Sequence, residues 1–182
     1  MYTSDLRSRQ PATHIDEGLY TIEAEFYTDH LIIHGEIVSP NLRLSDYLNS
    51  SLAGVEIRPL AVQRVASGAA VDLPKAQAHI YKAHLLFIVP LDEPSRPDRE
   101  NNAAWTRTTT RRCWAGLGRY SIDGQIHEEA GRDTRLILRS FEHRQFIPLT
   151  EATVTLPEGG GRSCRAIIVN QSALEMIAIR ES

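Results

Sequence analysis

Lysine is nearly missing from this chain: Lys75 and Lys82 are the two among 182 residues, against eighteen arginines. Basic charge is outweighed overall, with a formal net charge of −3. By segment the net charge is −1 over residues 1–19, −2 over 20–91, −2 over 92–104 and +2 over 105–182. None of these is a strong polyanion footprint. Cysteine is scarce as well: Cys113 and Cys164 stand alone, in no C-x-x-C spacing. That excludes a disulfide framework and the usual zinc motifs, and reduced, buried thiols are the expectation. Long apolar runs are missing. The longest, AHLLFIVPL from Ala83 to Leu91, is far short of the ~18 residues of a membrane span. The first eighteen residues hold no apolar stretch, so no signal peptide is read there and a cytoplasmic location is expected. G-x-S-x-G, a phosphate-binding glycine loop and H-E-x-x-H are absent too. The reading therefore leans away from an enzyme and names no catalytic residue, metal ligand or cofactor.

What is present is β-forming sequence divided by a polar break. Residues 1–18 read as a polar arm and 92–104, with two prolines and charged residues, as a linker. Between and after them lie two β-rich units, 19–91 and 105–182. In the first, LYTIEAEFYT and HLIIHGEIVS read as a hairpin turning at Thr28-Asp29. VEIRPLAVQRVAS and AQAHIYKAHLLFIVPL supply further strands, the last broken by a turn near Lys82-Ala83. In the second, TRTTTRRCW, GRYSIDGQIH, QFIPLTEATVTLP and CRAIIVNQSALEMIAI follow the same order, and LPEGGGRS reads as a hairpin connection.

Sliding the chain against itself by 89 positions shows why the orders agree. Ile33, Gly35, Ile37, Arg43, Pro59, Leu60 and Val65 meet Ile122, Gly124, Ile126, Arg132, Pro148, Leu149 and Val154. These are seven identities over the 33 positions from 33 to 65, where about two are expected by chance at ordinary composition. With one residue deleted, AHIYKAHLLFIV then lies over AIIVNQSALEMI. The paired I-x-G-x-I places two isoleucines and a glycine on one strand face, and the glycine admits a bulge or a close backbone. The expected fold is mainly β: two tandem small β-barrel or roll units, each with a short helix or helical turn between strands. Together they would form a pseudo-twofold pair within one chain.

In RLSDYLN the Ser45 hydroxyl is placed to cap a helix start, with Asp46 beside it. Leu44, Tyr47, Leu48 and Ser51 share the spacing of one helical face. The corresponding GRDTRLILRSF keeps a capping-type residue, Asp133 or Thr134, and apolar residues, but not the letters. A role in shape fits that drift, so Arg43, Ser45, Asp46, Asn49 and Arg132 are read as structural. The pattern I-x-G-x-I … R-L-S-D-Y-L-N … I-x-P-L-x-x-x-x-V … A-x-I-x-K-x-x-L resembles a group of small bacterial domains marked by an Arg-Leu-Ser-Asp-x-Leu-Asn signature. The resemblance covers Tyr20–Leu91 well and Trp105–Ile179 less completely. It implies domain boundaries, and it implies no activity.

Two clusters carry possible chemistry. Arg107, Arg111, Arg112 and Arg119 interleave with Trp105, Trp114 and Tyr120, as in small barrels that stack single-stranded nucleic acid. Arginine stems also cover apolar strands within a fold. His30, His34, His79 and His84 fall in the first unit, but three or four ligands must converge to hold a metal. The leading expectation is a non-enzymatic interaction or assembly module, its partner another protein or a second copy. Single-stranded RNA or DNA binding through the Arg/Trp strand of the second unit, and a small-ligand sensor or weak enzyme using a cleft between the units, are the alternatives.

Overall fold

The structure, a computed structural model, describes residues 19–41, 43–73, 76–92, 108–129, 133, 139 and 141–180. The proposed arm lies outside the described residues, as does the linker after Asp92. Strands β1 (Tyr20–Tyr27) and β2 (Leu31–Ser39) form the expected hairpin. Thr28 closes it: its backbone N–H donates to Leu31 O, and its hydroxyl accepts from the Leu31 N–H, both at 2.9 Å. A short helix, α1 (Leu44–Leu48), buries Leu44 and Leu48 and leads to β3 (Gly54–Arg64). The apolar run after Gln77 is indeed divided into β4 (Ala78–Tyr81), a 3-10 turn at Lys82–His84, and β5 (Phe87–Asp92). Then come β6 (Thr108–Leu117), β7 (Tyr120–Glu129), β8 (Phe146–Thr155), β9 (Gly161–Asn170), a 3-10 turn at Gln171–Ala173, and β10 (Met176–Ile179). Gly159 and Gly160, both at positive φ, turn β8 into β9.

Ten strands make one antiparallel sheet in the order β10-β6-β7-β8-β9-β5-β1-β2-β3-β4. The first five strands appear in it as β5-β1-β2-β3-β4 and the last five as β10-β6-β7-β8-β9, the same order. Registers agree as well. Tyr27 faces Ile32 and Phe87; 89 residues on, Gly116 faces Ser121 and Met176. Strand β8 departs from this spacing. Ile33 faces Val62 while Ile122 faces Val154, and Val55 faces Ile80 while Ile147 faces Val169, so β8 stands 92 residues after β3. The ungapped match of Pro59 with Pro148 and Val65 with Val154 is thereby corrected, because three more residues separate β7 from β8 than β2 from β3. The one-residue deletion near Ala78 is not needed either, since the two 3-10 turns lie 89 apart. Both ladders slip beside the paired glycines, at His34/Gly35 and Asp123/Gln125. A Cβ on Gly35 would sit 2.9 Å from the Arg58 carbonyl oxygen.

The barrel expectation fails. Neither half closes on itself; β5 of the first half pairs instead with β9 of the second, Phe87 facing Val169 and Ile88 facing Ile168. A twofold pair would also join β10 to β4, and these are the two ends of the sheet. The physical reason lies in side-chain alternation along the middle strands. Ile22, Ala24 and Phe26 of β1 enter one core and Tyr27 the other; Ile88 of β5 enters the first, Phe87 and Val89 the second. Ile168 and its neighbours Ile167 and Val169 divide in the same way. Strands β9, β5 and β1 therefore wall two cores on opposite faces. The first core (Ile33, Ile37, Leu44, Leu48, Ile57) borrows Phe146 and Ile168 from the second half. The second (Cys113, Ile122, Ile126, Leu149, Val154) borrows Tyr27, Leu86, Phe87 and Val89 from the first.

Candidate functional site

Alternation along β6 separates the residues read as a nucleic-acid stripe. Arg111 shares the face of Cys113 and Ala115, which point into the core, while Arg112 and Trp114 occupy the other face. Arg119 stands exposed in the β6–β7 turn, after Gly118 at positive φ. Trp105 and Arg107 lie outside the described residues. The Trp114 indole does not stand free: a Cβ on Gly116 would come within 2.9 Å of its Cη2, so the ring lies over that glycine. Beside it Arg180 reaches Asp123 at 3.5 Å across an exposed surface, where an ion pair adds little.

The RLSDYLN residues lie at a joint between the halves. Arg43, not Ser45, is the N-cap of α1, and no side chain caps it. The helix begins two residues earlier than the motif suggests, so Ser45 and Asp46 fall within the first turn and the capping assignment is corrected. Asn49 follows the helix and acts across the halves. Its amide donates to Phe146 O and accepts from the Phe146 N–H, both at 2.9 Å, and also donates to Ser45 O. It thereby completes both backbone groups of the first β8 residue. Asn49→Ala is expected to lower stability by about 1–3 kcal/mol, because two backbone groups lose partners. Ser45→Ala is expected to stay within about 0.5 kcal/mol. Chemical denaturation of both variants checks the contrast. Arg132 lies outside the described residues.

Two further polar groups tie the halves, and neither was singled out from the sequence. Asn170 is fully buried; its amide donates to Lys82 O at 3.0 Å and Leu85 O at 2.7 Å and accepts from the Ser172 N–H. Its own N–H donates to Leu86 O, so one residue satisfies the turn that leads into β5. Lys82 is itself buried, and its ammonium donates to Ser50 O at 3.0 Å. Desolvation pushes its pKa below the ordinary lysine value. At the rim of the second core, Arg162 of β9 binds the Glu25 carboxylate and donates to the Tyr27 hydroxyl at 2.9 Å. Tyr27 in turn donates to Glu25 and stacks on Phe87 with centroids 4.3 Å apart. Burial first, then the Glu25 charge, raises the Tyr27 pKa above the ordinary phenol value. In the sequence Asn170 follows the apolar run IIV, where only the lack of a polar neighbour in that run marks it.

The histidines do not converge. His34 meets Glu23 at 2.5 Å, His79 stacks edge-on against Tyr81 over Gly54, and His30 and His84 occupy separate turns. Among the described residues no group of three His, Cys, Asp or Glu could hold a metal. Both cysteines are free. Burial, with a further push from Asp123, raises the Cys113 thiol from 9.0 to about 11, and burial raises Cys164 too. A raised thiol pKa is the opposite of nucleophile activation. Two outcomes follow. At pH 8 both thiols should resist iodoacetamide in the folded chain and react once it is denatured, as mass spectrometry will show. In the unfolded chain the Cys113 thiol ionises near its ordinary 9.0 and in the folded chain near 11. Its contribution is thus whole below the first value and lost as pH rises through the second. Cys113→Ala should flatten that part of the alkaline stability curve.

A shallow concavity of about 370 Å³ is lined by Thr21, Glu36, Tyr47, Glu56, Arg58 and Gln77, all from the first half. Arg58 and Glu36 pair within it, and Glu56 adds a second carboxylate to the lining. It is not a cleft between the halves. No helix among the described residues is long and apolar enough to cross a membrane. No family model, curated protein or solved structure matches the chain.

Proposed function

We propose that this chain is a non-enzymatic assembly module, built from two copies of one five-stranded unit, that works by pairing strand edges with another protein chain. The observation that carries the reading is the agreement of the ladders. The last five strands keep the order of the first five at a spacing of 89 residues, β8 excepted. What joins the units is an edge pairing, β5 with β9. The equivalent strands, β10 and β4, end the sheet, and an open strand edge is a template for pairing. The polar groups at the joints support the same reading, because Asn49, Asn170 and Arg162 each hydrogen-bond to a group in the other half. The raised thiols supply no activated nucleophile.

Size fractionation of an extract of cells producing the tagged chain tests this. Expected is elution well above the 20.4 kDa of the chain, unchanged by nuclease and by 0.5 M salt. Elution as a monomer contradicts the assembly role. Collapse of the large species on nuclease treatment makes nucleic acid the partner and Arg112 with Trp114 its first candidates, given the steep salt dependence of phosphate contacts.

A further inference from the structure

We infer that the partner at the sheet ends is a second copy of this chain, joined head to tail: β10 of one copy pairs with β4 of the next as β5 pairs with β9 within one. This rests on the repeat reading above and names the occupant of the edges.

The intrachain joint is the template. Adding 89 to β5 gives β10, and subtracting 89 from β9 gives β4. Backbone bonds around the two edges already match: Leu86 N–H donates to Tyr27 O and Glu175 N–H to Gly116 O. Likewise Leu85 N–H donates to Lys82 O and Leu174 N–H to Gln171 O. At the joint itself the Asn170 N–H donates to Leu86 O. The equivalent donor and acceptor, the Tyr81 N–H and the Glu175 carbonyl, stand at opposite ends of the sheet.

Burial shows where a lid is missing. In the second half Ile122, Val154 and Val169 are 0%, 0% and 1% exposed, in the core that Tyr27, Phe87 and Val89 complete. Their counterparts in the first half, Ile33, Val62 and Ile80, are 8%, 7% and 7% exposed, among the least closed of the first core. The matching lid lies at the other end of the chain. Where β1 and β5 present Tyr27 and Phe87, β6 and β10 present Gly116 and Met176. The Trp114 ring lies over that glycine, which restores an aromatic surface at the Tyr27 position. Met176 is 55% exposed and, at the receiving edge, Tyr81 is 60% exposed. A contact between two different surfaces does not close as a twofold pair; repetition gives rings or filaments.

Purified full-length chain is examined by sedimentation velocity up to about 1 mM, where even a Kd of 1 mM leaves a substantial associated fraction. Expected is a mass that grows with concentration past the dimer. Met176→Lys and Tyr81→Lys, both at exposed side chains, should each fold with unchanged circular dichroism and remain monomeric. Mixed, they retain one good junction between them and should give heterodimers and nothing larger. A wild-type chain that stays monomeric at the highest concentration overturns the inference, and the extract experiment then decides separately whether another protein occupies the edges. A Tyr81→Lys variant that still dimerises with itself also overturns it, since that marks a like-with-like contact.

Discussion

Phe87→Ala should lower the unfolding free energy by about 3–5 kcal/mol, the range for emptying a fully buried aromatic site. Phe87 has no exposed surface, stacks on Tyr27 at 4.3 Å and meets Tyr120 edge-on at 5.2 Å. It is also one of two β5 residues in register with β9. The side chain belongs to the first half by sequence and to the second half's core by contact. Its loss should therefore destabilise the whole sheet in one transition, not the first half alone. Urea denaturation followed by circular dichroism and by tryptophan fluorescence, whose Trp114 reporter sits in the second half, checks both points. A loss below about 1.5 kcal/mol, or a shift seen by one probe only, contradicts the shared core.

Asn170→Ala should cost about 1–3 kcal/mol, because it strands the Leu85 carbonyl in a buried site, while the Lys82 carbonyl loses one of two donors and keeps the Leu85 N–H. Asn170→Asp is the sharper variant. A carboxylate there would face two carbonyl oxygens with nothing to donate, so at neutral pH it should be less stable than the alanine variant. Protonation restores one donor, so the buried carboxyl titrates above its unfolded value and stability recovers as pH falls through that range. Denaturation at pH 7 and pH 4 measures the recovery. Equal stabilities of the aspartate variant at both pH values would show that these carbonyls do not depend on residue 170.

Strand positions and turns were legible because alternation and turn residues act over a few neighbours. The Thr28 turn, the break at Lys82 and the glycine turn after Leu156 follow directly from local chemistry. The closure of each half was not legible. Alternation says that Phe87 and Val89 share a face, but both faces of β5 are apolar, and nothing local says that the second face serves another core. The unbroken sheet overturns the two separately folded units and the domain division drawn from them; the shared strand order is the ground on which a repeat is proposed. Ser45 misled because a serine before an apolar face fits a cap and a first-turn residue equally well. Asn49 was in the motif, yet its partner lies 97 residues away, a distance that no local pattern spans. Asn170, in the same way, serves carbonyls 85 and 88 residues earlier.

The dependence of each core on the other half is tested most directly by producing residues 1–92 and 93–182 as separate chains. Each should be unfolded alone, with no cooperative melting, and mixing should restore a single transition near that of the intact chain. A cooperative melt from either piece alone would mean that its core closes without Phe87 or Phe146 crossing over, and would contradict the shared sheet.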